Sequence, residues 1–263
     1  MRAFDAMVDN FIASYAGKAP GGLVLDLDPP ACIVYGQQEL GMFSTHVGDT
    51  CLMPFHLDEG QSARLIASAL HPGKTPTAKA ILGILRRVVK KLRRVWPRLP
   101  LIFRADSYHS KPEVPAWLKR EGLRYVIGCA PNAVLKRQFA ECISAAGRRY
   151  ERHLKEGRAE VEARTFASGS YSAGSWGGKA RRIICRAIAG PHGVDQRYIV
   201  TDFEQHEAVC PRRENRGRKG GAMRRGVEKG RFQRIRTHQH AEPMQMPSNP
   251  QTTTDPAPPM MAS

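Results

Sequence analysis

The chain has 263 residues, enough for one sizeable globular domain with a small insertion or tail. Its 41 Lys and Arg against 24 Asp and Glu leave a formal charge of +17, an excess that attracts polyanions, nucleic acid above all. The six cysteines show neither a C-x-x-C pair nor zinc spacing, and no apolar run is long enough for a membrane span or a signal peptide. A soluble cytoplasmic protein with reduced thiols and no membrane partner is expected.

Phe4, Met7, Val8, Phe11 and Ile12 recur at helical spacing and predict a short amphipathic helix, ended by the Gly- and Pro-containing segment 17–22. Residues 23–30 then alternate apolar side chains with Asp26 and Asp28 before Pro29 and Pro30, which reads as a strand running into a turn. The segments 51–57 and 63–70 are candidate strands of a meander, the second ambiguous with helix.

From Thr77 the period changes. Ile81, Leu85, Val88, Leu92 and Val95 mark one helix face, and Arg86, Arg87, Lys90, Lys91, Arg93 and Arg94 fill much of the rest. Eleven basic and no acidic residues occur over 60–105, which favours a surface turned to nucleic acid over an ordinary solvated face. Lys79, Arg86, Arg87, Lys90, Lys91, Arg94 and Arg104 are the candidate DNA-binding residues.

Leu101 to Ala105 reads as a buried strand delivering Asp106 at its end, followed by a helix over 112–121 and a strand over 125–129. Strand, helix and strand in succession indicate α/β layering. A charged helical pattern over 134–162, a Ser/Gly-rich stretch over 168–178 and strand-like runs at 182–188 and 197–203 suggest a β-rich insertion. From Pro211 to Ser263 there are 11 Lys and Arg against 4 Asp and Glu, with little apolar periodicity, so a disordered tail is expected.

Asp26, Asp28 and Asp106 share one property: each stands at or near the end of an apolar strand. Carboxylates converging at a sheet edge are hard oxygen ligands suited to magnesium, and a pair of such ions supports phosphodiester chemistry. The same residue types also open turns and cap helices, as Asp-Pro and strand-end Asp commonly do. The isolated histidines His46, His56, His71 and His109 read as surface or satisfied core residues.

Six ordered motifs carry a resemblance: L-D-L-D-P at 25–29, Y-G-Q-Q-E-L at 35–40, L-H-P-G-K at 70–74, F-R-A-D-S at 103–107, Y-V-I-G at 125–128 and R-Y-I-V-T-D at 197–202. Together they resemble the DDE domain of a bacterial insertion-sequence transposase family. The resemblance implies an α/β, RNase H-like mixed sheet flanked by helices, with a β-rich insertion, and magnesium- or manganese-dependent cleavage and strand transfer at transposon ends. By motif, Asp28 matches the first catalytic carboxylate, with Asp26 the neighbouring alternative, and Asp106 matches the second.

For the third, the family has a helix bearing Tyr, Arg, Glu-Asn and Lys after the last strand. Arg213-Glu214-Asn215-Arg216 is the partial counterpart, without the Tyr and at a different spacing, so Glu214 is the candidate. The implied organisation is an N-terminal helix and linker at 1–21, a catalytic core at 22–206 with its insertion at about 144–190, and a tail at 207–263. Catalytic and metal-binding roles fall to Asp28 and Asp106, with Glu214 catalytic and Asp26 a further metal ligand. The expected partners of this nucleoid-associated protein are DNA, at transposon ends and target, and a second copy of the chain in a homo-oligomer. The alternative is a truncated or frameshifted, non-catalytic DNA-binding remnant that modulates an intact transposase.

Overall fold

Leu23, Leu25 and Leu27 alternate with Val24, Asp26 and Asp28, and this period of two gives β1 (Leu23–Asp28) one buried and one half-open face. In the computed structural model, which describes residues 2–45 and 47–204, β1 lies inside an eight-stranded mixed sheet. On one side it pairs antiparallel with β5 (Phe55–Glu59), which pairs with β6 (Arg64–Ala69). On the other it runs parallel to β7 (Leu101–Ala105), which runs parallel to β8 (Arg124–Cys129). The spatial order β6-β5-β1-β7-β8 is the RNase H-like arrangement that the motifs implied.

The sheet then continues antiparallel from β8 through β11 (Gly193–Thr201) and β10 (Arg181–Gly190) to β9 (Ala163–Tyr171). A separate three-stranded sheet of β2 (Cys32–Ile33), β3 (Met42–Ser44) and β4 (Asp49–Leu52) lies between β1 and β5 in sequence. The segment His71 to Lys74 crosses it so closely that a Cβ on Gly73 would meet the Cys51 carbonyl oxygen at 2.1 Å.

The basic helix α2 (Ala78–Val95) begins at Thr77, whose Oγ1 accepts the Ala80 amide at 3.2 Å. Its Ile81, Leu85, Val88 and Leu92 are fully buried in one cluster with Leu23, Leu25, Leu27, Leu57 and Phe103. Each such side chain contributes roughly 1.5–3 kcal/mol of burial energy before entropy is set against it. Helix α1 (Arg2–Ala13) is tied to α2 by Asp5 with Arg87 at 2.6 Å and Asp9 with Lys91 at 2.5 Å. Helix α3 (Glu113–Arg120) links β7 to β8.

Two expectations change. The charged pattern over 134–162 is two helices, α4 (Ala133–Gln138) and α5 (Ala140–Lys155), because Phe139 closes the first and its ring turns into the core. The Ser/Gly-rich composition hides a strand: Ala167 to Ser170 belong to β9, in register with Cys185 to Arg182. A Cβ on Gly169 would meet the movable Gln138 Nε2 at 2.8 Å. The tail, His46 and Glu214 lie outside the described residues.

Candidate active site at the strand ends

The parallel register of β1 and β7 runs from Leu23 with Leu101 to Leu27 with Ala105. The next residue on each strand is an aspartate: Asp28 ends β1 and Asp106 caps the turn that follows β7, so both stand at the same end of adjacent strands, roughly one strand spacing of about 4.8 Å apart. Pro29 and Pro30 stop β1 directly after Asp28, which is exposed.

Asp106 is held by its own turn. Its Oδ1 accepts the Tyr108 amide at 3.0 Å, capping the single 3-10 turn at Ser107–His109, and lies 2.8 Å from His109 Nδ1. His109 is wholly buried beside the Phe55 and Tyr108 rings, and its Nε2 has no hydrogen-bond partner among the described residues. An ionised carboxylate only accepts, so in this contact Nδ1 carries a hydrogen and donates it. Asp106 Oδ2 has no protein partner among the described residues. The backbone here also passes close over β8: a Cβ on Gly128 would sit 2.5 Å from the Ser107 nitrogen and 2.9 Å from the Asp106 carbonyl carbon.

Asp26 is placed differently. It is the register partner of Arg104 on β7 and of Asp58 on β5, and its carboxylate forms an ion pair with the Arg104 guanidinium. The hydrogen bond from Arg104 to Asp26 raises the guanidinium pKa above its usual value, against the effect of burial. Burial raises the Asp58 carboxyl, His56 pulls it down and Asp26 adds to the rise. Among the described residues no three His, Cys, Asp or Glu side chains are grouped to hold a metal ion.

The basic residues of α2 divide. Lys79, Arg86, Lys90 and Arg94 are exposed along one stripe, whereas Arg87 and Lys91 are engaged by Asp5 and Asp9 of α1. Lys79, in the first turn, is at the end of the sheet that carries the aspartates, and Arg94 is about 22 Å further along the helix. Arg104 points at Asp26. At the opposite end of the sheet, Asp202 accepts the Tyr125 amide at 2.9 Å and pairs with Arg124 at 3.3 Å. A cleft of about 440 Å³ between α5 and β9, lined by Phe139, Glu141, Cys142 and Thr165, is away from the paired aspartates.

Sequence reading missed His109, Gly128 and Asp58. A signal existed for the first, since a histidine three residues after a strand-end aspartate meets it in a capped turn.

The family model described as transposase DDE domain, group 1, matches residues 2–242. Comparison with curated proteins gives no match. Among solved structures the chain is similar to piggyBac transposase in a synaptic complex with hairpin DNA, at 15% identity and a TM-score of 0.38. That likeness covers 70% of this chain and 34% of the other, so the chain spans about a third of that protein's length. With residues 2–242 matched, the chain belongs to the group 1 transposase DDE domain family.

Proposed function

We propose that the chain cleaves and joins DNA phosphodiesters at transposon ends, with Asp28 and Asp106 as the paired metal-binding carboxylates and Glu214 as the third. The observation that carries this reading is the emergence of Asp28 and Asp106 from adjacent parallel strands at the same end. Asp26 is the weaker candidate for the first carboxylate because it sits two residues back inside β1, ion-paired with Arg104 across the strands, rather than at the strand end.

The donor set suits Mg²⁺ or Mn²⁺, since such ions take one or two carboxylates together with water and phosphate oxygens. When bound, the ion supplies Lewis-acid polarisation of the phosphodiester and a more acidic attacking water or hydroxyl. Asp28 and Asp106 set the negative charge that holds it. His109 and the Tyr108 amide fix Asp106 through Oδ1, so that Oδ2 is the oxygen left for coordination. Lys79, Arg86, Lys90 and Arg94 contribute to holding the phosphate backbone by charge, an attraction that weakens as salt rises.

The test is nicking of supercoiled DNA by the full chain over a series of Mg²⁺ and Mn²⁺ concentrations. The expected result is metal-dependent nicking that Asp106→Asn abolishes while salt-sensitive binding persists. Nicking retained in Asp106→Asn overturns the assignment. Binding without nicking at every metal concentration replaces it with the second reading, a non-catalytic DNA-binding remnant.

A further inference from the structure

The face that carries the aspartates continues across the sheet. Gly128 of β8 is in register with Ile199 of β11, Ile199 with Ile184 of β10, and Ile184 with Ser168 of β9. Extending the β1–β7 and β7–β8 registers by one position puts Asp28 and Asp106 on the same row as Gly128. One alternation further toward the aspartate end, Arg197, Arg186 and Phe166 are direct register neighbours on that same face. Arg164 follows on the next row of β9, opposite Ile188.

Helix α5 takes the other face. Cys142 Sγ lies 3.5 Å from Thr165 Oγ1, and the Phe139 ring is 5.9 Å from the Tyr198 ring. Thr165 and Tyr198 alternate with Phe166 and Arg197, so the arginine row faces away from α5.

Like charges directly opposite on paired strands are destabilising, yet Arg186 and Arg197 stand opposite each other. Asp195 engages Arg197 at 3.1 Å and Glu162 engages Arg164 at 3.0 Å. Arg186 has no hydrogen bond or ion pair among the described residues, and burial, then Arg197, holds its pKa below the usual arginine value. Arg164 adds to the repulsion, while Asp195 and Glu162 act against it. An anion between the two guanidiniums relieves it, and planar guanidinium forks match phosphate oxygens. Phe166, 38% exposed in the same row, offers a surface on which a base can stack. The chain's own residues from Pro211 onward do not fit this occupant role, carrying 11 Lys and Arg against 4 Asp and Glu.

We propose that Arg186 and Arg197, flanked by Arg164 and Phe166, form a phosphate-binding row for the DNA strand next to the bond held at Asp28 and Asp106. Arg197 is two strand spacings from Asp106 and Arg186 three, roughly 10 and 14 Å laterally. At a rise of about 3.4 Å per nucleotide this corresponds to phosphates some three to four nucleotides from the reacting bond. The proposal rests on the reading of Asp28 and Asp106 as the cleavage pair.

The experiment measures binding of the full chain to a random-sequence duplex of about 30 base pairs by fluorescence anisotropy across a KCl series. The Arg186→Gln/Arg197→Gln double variant is expected to bind at least tenfold more weakly. Its slope of log K against log [KCl] is expected to be shallower by about two, at roughly 0.9 per lost phosphate contact. The Arg186→Lys/Arg197→Lys variant is expected to restore the slope, and the melting temperature of the Gln variant to hold or rise as the opposed charges are removed. An unchanged affinity and slope overturns the proposal. So does a change in oligomeric mass without a change in DNA binding, which makes the face an interface between copies. Nicking by the wild-type chain together with an unchanged slope in the double variant sinks the arginine row alone. An arginine-dependent slope without any nicking sinks the cleavage reading alone.

Discussion

His109 Nδ1 donates to Asp106 Oδ1 at 2.8 Å, while its Nε2 is buried with no partner among the described residues. A buried nitrogen without a partner costs stability, and the hydrogen bond to Asp106 is the polar contact that offsets it. His109→Ala is expected to reduce metal-dependent nicking by about 10–100-fold, the usual loss when a group supporting a metal ligand is removed. His109→Asn, whose side-chain amide can replace the Nδ1 donor, is expected to recover part of it. The discriminating measurement is the Mn²⁺ concentration for half-maximal nicking, which moves if His109 positions Asp106 and stays fixed if it only fills the core.

Gly128 tests the same site through the backbone. Because its Cβ would lie 2.5 Å from the Ser107 nitrogen, Gly128→Ala has to displace the turn that carries Asp106. Nicking is expected to fall by about tenfold or more, since small misplacements of reacting groups are costly. Unaltered kinetics in a folded Gly128→Ala protein would show that the position of the Asp106 turn does not matter.

Asp26 and Asp28 separate by readout. Asp26→Asn leaves the half-buried Arg104 without its charged partner, and a loss of about 1–3 kcal/mol of stability follows from the charge-assisted bond. Some nicking is expected to survive. Asp28→Asn, at an exposed strand end, is expected to abolish nicking with a smaller change in melting temperature than Asp26→Asn. Urea denaturation and the nicking assay run on both variants decide between them, and the reverse pattern makes Asp26 the first carboxylate.

On α2, exposure and pairing predict unequal effects on DNA affinity. Arg86→Gln/Lys90→Gln is expected to flatten the salt dependence by about two units of slope. Arg87→Gln/Lys91→Gln is expected to change it less, because Asp5 and Asp9 already hold these side chains, and instead to loosen α1. Equal salt slopes for the two pairs would remove the distinction.

Asp58 gives a pH signature. Burial raises its folded-state carboxyl pKa above the ordinary 3.8, so the folded protein binds this proton more tightly than the unfolded chain does. Its contribution is therefore fully present below about pH 3.8 and is lost as the pH rises through the folded value. Asp58→Asn is expected to raise the melting temperature at pH 7 by up to about 3 °C, with the gain shrinking toward pH 3.5. A gain independent of pH would assign the effect to something other than this titration.

Much of the core was legible because periodicity reports burial directly. The alternation of Leu23, Leu25 and Leu27 and the helical spacing of Ile81, Leu85, Val88 and Leu92 match the elements that bury them. β9 was not legible: small and polar residues read as loop, and only pairing with β10 makes them a strand. The short strands β2 and β3 escaped for a related reason, being two and three residues long and mostly exposed.

The sequence by itself determined the family, through motifs spread from residue 25 to residue 202, and the two strand-end aspartates, because local pattern encodes where a strand stops. Tertiary structure alone decided which charges meet. Asp26 faces Arg104 and Arg186 is set against Arg197. The last pairing joins nearby strands, but whether it falls on the aspartate face depends on register through β8 and β11, where a slip of one residue would turn every side chain to the other side.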